Sequence, residues 1–284
     1  MLFFVFPPVL LAGWSPLAAR LVADGFDEKD MEVLFLRPEV RFDPYTMSSK
    51  INALLRVRSE FRERGGAARP SGVKRGYLRA HVIAHARVYG YRQRAILEDI
   101  RKVYGVPKEI VVAILLIETR LGRYMGERSV FNSLASMARS RDLATVEPHL
   151  SRSSLSTEDM EFARDKCRQK ADWAYEELKA LLVYARNCGL DPLQIRGSVY
   201  GALGLCQFMP TSIRDYGVDG NGDGRVDLFS DADALHSIAN YLRGHGWNAK
   251  MDLESQRKVI FDYNNSAVYV NTVLAIAAKL KDRI

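Results

Sequence analysis

The chain has 284 residues, 48% hydrophobic and 26% charged, with a formal net charge of +7. That length allows one large domain or two small ones with a substantial core, and the composition excludes disorder over most of the chain. The basic balance suits polyanions such as nucleic acid, anionic lipid or anionic cell-wall polymer, but it selects none of them and is equally compatible with a generic basic surface.

Residues 1–19 form a largely apolar stretch that ends in Pro16-Leu17-Ala18-Ala19, a sequence like a signal-peptide cleavage site. No Lys or Arg precedes it, and it is too short and too proline-broken for a membrane span. No cysteine follows directly to carry a lipid. The expectation is an exported protein of the periplasm or cell envelope with a removable leader. A buried N-terminal segment is the alternative.

Residues 20–76 read as an N-terminal helical segment. It has one or two helices with turns over 21–44, a helix over 49–64, and a Gly/Pro loop over 64–72. A further helix is expected over 77–104. Pro107 and Glu109 are start signals for the most apolar helix of the chain, in which every residue from Ile110 to Ile117 is apolar. Such a helix is buried on all sides. Gly122 is its expected stop.

Glu118 closes that apolar run. Lost hydration and the negative end of the helix dipole both favour its protonated form, as a general acid requires. Pairing with Arg120 or Arg123 at the surface is the competing reading.

Residues 139–165 are polar and read as a surface excursion, followed by an amphipathic helix over 166–188. The three cysteines, Cys167, Cys188 and Cys206, are odd in number and lack a Cys-x-x-Cys spacing, which argues against a zinc cluster. A Cys167–Cys188 disulfide stays open. The segment 197–210 combines three glycines with Ser198, Gln207, Phe208 and Met209, a mixture of polar edges and apolar faces suited to a carbohydrate groove. A turn whose Gln caps a helix is the plainer alternative.

Asp219, Asn221 and Asp223 occupy positions 1, 3 and 5 of an EF-hand-like loop, with Gly224 at position 6 and the Arg225 carbonyl at position 7. Ser230 stands at position 12, so the closing carboxylate falls to Asp231 or Asp233. Helices are expected at 231–245 and 254–283. Tyr263, Asn264, Asn265 and Ser266 head a segment that can bind sugar hydroxyls or N-acetyl groups, although Asn265 can also be a helix N-cap. No alternating strand pattern appears, so the fold class is mainly α.

In order and spacing, residues 104–126, 195–212, 216–247 and 263–269 resemble the lytic murein transglycosylase B family, whose core is Glu-Thr-x-x-Gly. The resemblance covers most of residues 77–136 and 166–284. It implies a lysozyme-like catalytic core at 77–284 with an inserted EF-hand-like loop at 219–233 and little β structure. It makes Glu118 the single acid/base. Ser198, Gln207, Tyr241, Tyr263 and Asn264 would be substrate-binding, and Trp173 an aromatic platform. Asp219, Asn221, Asp223, Arg225 and Asp233 would hold Ca2+, or Na+, in a structural role, with no organic cofactor.

The implied reaction breaks the β-1,4 bond between N-acetylmuramic acid and N-acetylglucosamine and leaves a 1,6-anhydromuramoyl end. A lysozyme-type hydrolase and a non-catalytic peptidoglycan-binding protein are the alternatives. The implied partners are peptidoglycan strands and cell-wall synthesis or septation proteins. A monomer is expected, without nucleic acid. The chain departs from the family in a short interval between Trp247 and Tyr263, in a long 139–165 stretch, and in Cys206 where glycine is expected.

Overall fold

The computed structural model describes residues 13–65, 72–151 and 155–284; most of the expected leader (1–12) and most of the Gly/Pro loop (66–71) lie outside them. In chain order the α-helices are α1 (Ser15–Ala23), α2 (Glu28–Leu36), α3 (Pro44–Glu63), α4 (Ala80–Arg92), α5 (Arg94–Tyr104) and α6 (Lys108–Thr119). They continue as α7 (Val130–Arg139), α8 (Thr157–Cys188), α9 (Pro210–Tyr216), α10 (Asp231–Gly244), α11 (Leu253–Tyr263) and α12 (Ala267–Leu280). Among the described residues the only sheet is an antiparallel pair, β1 (Arg128–Ser129) with β2 (Arg196–Gly197).

The centre of the molecule is α6. Its residues Ile110 to Ile117 are all buried, as an apolar run without a polar face requires. It packs against α12, α4, α5 and α10. The helix ends at Thr119, where Arg120 and Leu121 take left-handed backbone conformations, and Gly122 (φ +87°) completes the turn. A β-carbon at Gly122 would stand 2.8 Å from the Leu205 side chain, so both the conformation and the space call for glycine.

One hydrophobic core holds residues from Trp14 to Leu280. Trp14 packs on Phe35 and Phe42, and Phe35 on Phe131 of α7. The boundary expected after Ala19 falls inside α1, whose Leu17 and Leu21 are buried. The 139–165 stretch also dips into this core through Leu143 and Val146. Among its described residues it forms two short 3-10 turns, Leu143–Thr145 and Glu147–His149, before α8, which begins nine residues earlier than expected and is capped by Ser156.

The structure closes one open question and corrects one expectation. Cys167 and Cys188 lie on the same helix, 21 residues and about 31 Å apart at the helical rise, far beyond disulfide reach. All three cysteines are free and buried, and the Sγ of Cys167 donates to the Ser140 carbonyl. The helix expected over 254–283 is two helices, broken at residues 264–266. Ser266, not Asn265, is the cap of the second, its Oγ accepting from Tyr269 N. Only a short loop and α11 span the interval from Trp247 to Tyr263.

Candidate active site

Glu118 is the penultimate residue of α6 and is half-buried. Burial pushes its carboxyl from the ordinary 4.5 up to about 7, against the opposing pull of a Tyr269 hydrogen bond and the Lys74 charge. The Tyr269 hydroxyl donates to Glu118 Oε1 at 2.7 Å. Tyr269 is 3% exposed, and its own phenol is raised well above its usual range by burial and by the neighbouring carboxylate. No acidic side chain contributes to the shift of Glu118; among the described residues the charge acting on it is that of Lys74. The surface pairing with Arg120 or Arg123 is not formed. Arg120 instead lies near the Tyr77 and Tyr124 rings, and Arg123 approaches His85.

The other buried glutamate, Glu177 (3% exposed), has a different task. It accepts from both the main-chain N and the hydroxyl of Thr211, which satisfies the start of α9.

Thr119 explains why threonine follows the acid. Its hydroxyl donates to the Leu205 carbonyl at 2.9 Å and accepts from Gly122 N, tying the end of α6 to the glycine-rich segment. That segment places Cys206 next to Glu118. The thiol is fully buried and its pKa is raised, first by burial and also by Glu118. Cys206 therefore forms part of the packed floor.

Tyr263 donates to the Cys206 carbonyl at 2.7 Å, and its ring lies parallel to that of Tyr269 at 6.4 Å. Tyr241 donates to the Asp262 carbonyl, packs edge-on to Tyr263, and stacks on His245 at 4.0 Å. Phe208 touches both tyrosines. Glu118 is thus set beside an aromatic wall whose hydroxyls are committed to fixed acceptors.

Gln207 holds a left-handed backbone conformation (φ +51°), and its Nε2 donates to the carbonyls of Met125 and Gly204. Ser198 Oγ accepts from Tyr200 N and Ala202 N, which closes the turn of the glycine-rich segment. Asn264 is the exposed C-cap residue of α11. Trp173 lies on α8 with the Lys170 ammonium over its ring, and Lys170 in turn repels the half-buried Lys50, whose ammonium sits over Tyr200.

Sequence reasoning did not pick out Tyr269, the side chain that bonds the acid, nor Lys74. Tyr269 belongs to the same tyrosine-asparagine segment as Tyr263, and that proximity was the available signal.

In the 219–233 loop, Asp219 accepts from Gly222, Asp223 and Gly224 N, Asn221 from Asp223 N, and Asp223 from Arg225 N. Gly224 has φ +88°, the sharp turn that position 6 demands. Fully buried Asp233 closes the loop by accepting from Gly220 N and Asp227 N. Asp231 is occupied elsewhere, by Tyr89 and Gln93. Burial and the charge of Asp219 both raise the Asp233 carboxyl, a repulsion that a cation between them relieves. Among the described residues no three His, Cys, Asp or Glu side chains are gathered as a ready metal cage. The set of Asp219, Asn221, Asp223, the Arg225 carbonyl and Asp233 nonetheless fits a hard cation by its all-oxygen chemistry.

Comparison with known proteins gives the following. Residues 13–257 match the family described as the transglycosylase SLT domain. The chain is 29% identical over 230 residues to the membrane-bound lytic murein transglycosylase B of Escherichia coli (strain K12), over 78% of this chain and 54% of that protein. It therefore spans about half the length of the curated relative it matches. The Escherichia coli lytic transglycosylase Slt35 in complex with calcium superposes with a TM-score of 0.69 at 22% identity, over 95% of this chain and 92% of that one. SltB3 from Pseudomonas aeruginosa in complex with NAG-anhNAM-pentapeptide gives 0.68 at 21% identity, over 95% and 79%. At such identities these structures establish the fold, which is the mainly α, lysozyme-like architecture expected from the sequence.

Proposed function

The chain belongs to the transglycosylase SLT domain family, and on that premise we propose that it is a lytic transglycosylase that cuts the glycan strands of murein. The observation that carries this reading is Glu118, raised to about 7 and bonded by Tyr269, with no acidic side chain near enough to shift it. Hydrolases that retain or invert pair two carboxylates roughly 5–9.5 Å apart. A lone acid fits a route in which the substrate supplies its own nucleophiles.

Protonated Glu118 gives its proton to the oxygen leaving the muramic anomeric carbon, and the substrate N-acetyl oxygen assists that departure. Glu118, now a carboxylate stabilised by the Tyr269 hydrogen bond, takes the proton of the muramoyl 6-hydroxyl. That oxygen attacks the anomeric carbon, closes the 1,6-anhydro ring and returns the acid to its starting state. A pKa near the working pH serves both halves of the cycle. The faces of Tyr263 and Tyr241 offer apolar walls to the sugar rings. Gln207, Ser198 and Asn264 are assigned polar contacts to the sugars, and Trp173 an aromatic platform.

The 219–233 loop is proposed to hold Ca2+ as a structural ion through Asp219, Asn221, Asp223, the Arg225 carbonyl and Asp233. A cation there would neutralise the Asp219–Asp233 repulsion and fix the connection between α9 and α10. Action on murein implies export to the periplasm or envelope. No described helix is long and apolar enough to cross a membrane.

The test is digestion of purified peptidoglycan with mass analysis of the products. Anhydro ends, lighter than reducing ends by one water, are expected from the native chain and none from Glu118→Gln, which retains binding. Reducing ends alone would assign a hydrolase instead. Persistent turnover in Glu118→Gln would remove Glu118 from the chemistry.

A further inference from the structure

A third piece of chain is bonded to both helices that supply the Glu118–Tyr269 contact. It is the segment 72–78, which ends in the 3-10 turn Arg75–Leu78. On the α12 side, the Gly72 carbonyl accepts from Asn271 Nδ2 at 3.3 Å, and Lys74 N donates to Thr272 Oγ1 at 3.0 Å. Thr272 is fully buried, and its hydroxyl donates to the carbonyl of Val268, the residue before Tyr269, at 2.6 Å. Asn271 also accepts from the Arg257 guanidinium of α11 at 2.5 Å. The segment is therefore pinned to the part of α12 that carries Tyr269.

On the α6 side the bond is made by Tyr77. A helix leaves its last carbonyls without intrahelical donors. Here the chain turns away at once. Arg120 N bonds the Leu116 carbonyl, Leu121 N reaches back to the Leu115 carbonyl, and Gly122 N goes to the Thr119 hydroxyl. Leu121 N is the donor that a continuing helix would have given to Ile117. The Tyr77 hydroxyl takes its place and donates to the Ile117 carbonyl at 3.3 Å. That carbonyl belongs to the planar peptide unit that leads into Glu118, so the bond fixes the plane from which the acid departs. Tyr77 is half-buried and close enough to Tyr269 to oppose the ionisation of that phenol. Lys74 of the same segment supplies the charge that acts on Glu118. The other titratable groups that face the acid among the described residues, Tyr263 and Cys206, are held neutral by burial.

We infer that Tyr77 is a positioning residue for the catalytic acid. With its segment anchored on α12, its bond to the Ile117 carbonyl holds Glu118 in register with the Tyr269 hydroxyl. The inference rests on the reading of Glu118 as the acid of a lytic transglycosylase.

The test is a double-mutant cycle on the full chain, Tyr77→Phe crossed with Tyr269→Phe. Tyr77→Phe removes one hydroxyl from a half-buried ring and leaves the ring packing in place. On purified murein its kcat should fall about fivefold at unchanged KM, the factor for one neutral hydrogen bond. The Glu118 carboxyl, followed by carbon NMR with Glu118→Gln to assign its signal, should titrate above its native value of about 7, because a loosened Tyr269 bond lowers it less. In the Tyr269→Phe background the same substitution should change neither kcat nor the titration further. Thr272→Val, which removes the acceptor of Lys74 N, should repeat the pattern of Tyr77→Phe.

Equal losses of kcat in both backgrounds would reduce Tyr77 to a contributor to the fold and overturn the inference. So would a Glu118 titration that Tyr77→Phe leaves unmoved. Absence of anhydro products from the native chain would sink the transglycosylase reading itself, and the titrations, which need no turnover, would still decide whether Tyr77 positions Glu118.

Discussion

The hydroxyl of Tyr269 and the carboxylate of Glu118 meet at 2.7 Å, although 151 residues separate them in sequence. The contact joins the C-terminal end of α6 to the first turn of α12. Burial raises the Glu118 pKa and the tyrosine hydrogen bond lowers it, and burial wins by enough to leave the group at about 7.

Removing the hydroxyl alone separates those effects. In Tyr269→Phe the ionised form of Glu118 loses its donor, so its pKa moves upward from about 7. The alkaline limb of the kcat/KM profile should shift to higher pH, while kcat falls by roughly 10–100-fold because the carboxylate left when the proposed acid gives up its proton is less stabilised. An unchanged pH profile would show that the contact does not set the acidity of Glu118.

The raised carboxyl also couples to stability. Its pKa is higher in the fold (about 7) than its ordinary 4.5, so its stabilising contribution is complete below pH 4.5 and is lost as pH rises through 7. Glu118→Gln removes the titration. Its unfolding free energy should therefore gain on the native chain between pH 4 and pH 8, by at most on the order of 3 kcal/mol. Denaturant melts at the two pH values measure it, and a constant difference would contradict the shift.

Thr119→Val tests the anchor of the glycine-rich segment. The substitution keeps the shape but leaves the Leu205 carbonyl without its 2.9 Å donor. Stability should fall by about 1–3 kcal/mol, and turnover should fall with it because Cys206, Gln207 and Phe208 lose their register against Glu118. Retained activity in a destabilised variant would limit Thr119 to a folding role.

Calcium should stabilise the chain without driving the chemistry. At a concentration 100-fold above Kd the gain is about 2.7 kcal/mol. Asp219→Asn and Asp233→Asn should each reduce it, because both carboxylates belong to the proposed donor set. Thermal melts with calcium and with chelator measure this, and identical melting temperatures in the two conditions would remove the ion from the loop.

The N-terminal boundary has a direct assay. Trp14 and Leu17 are each 5% exposed within the core. A chain starting at Arg20 should be less stable than one starting at Gly13 by about 3–5 kcal/mol, the transfer cost of the two side chains. Equal denaturant midpoints would mean that α1 contributes nothing to the fold.

Much of this protein is written locally. The uninterrupted apolar run from Ile110 to Ile117 can only be a buried element, and Glu118 at its end follows as a desolvated carboxylate. The Asp219, Asn221, Asp223 and Gly224 spacing specifies the loop that the fold contains, because Asx turns and a positive φ are properties of adjacent residues. The partner of the acid is a different matter. In one continuous helix over 254–283, Tyr263 and Tyr269 would point about 120° apart, and only one could face Glu118. The break at 264–266, capped by Ser266, lets both rings lie parallel beside the acid. The pairing of α6 with α12, the commitment of Asp233 rather than Asp231 to the loop, and the burial of Trp14 are long-range packing outcomes. They depend on which surfaces meet across the core, and no window of sequence contains both surfaces.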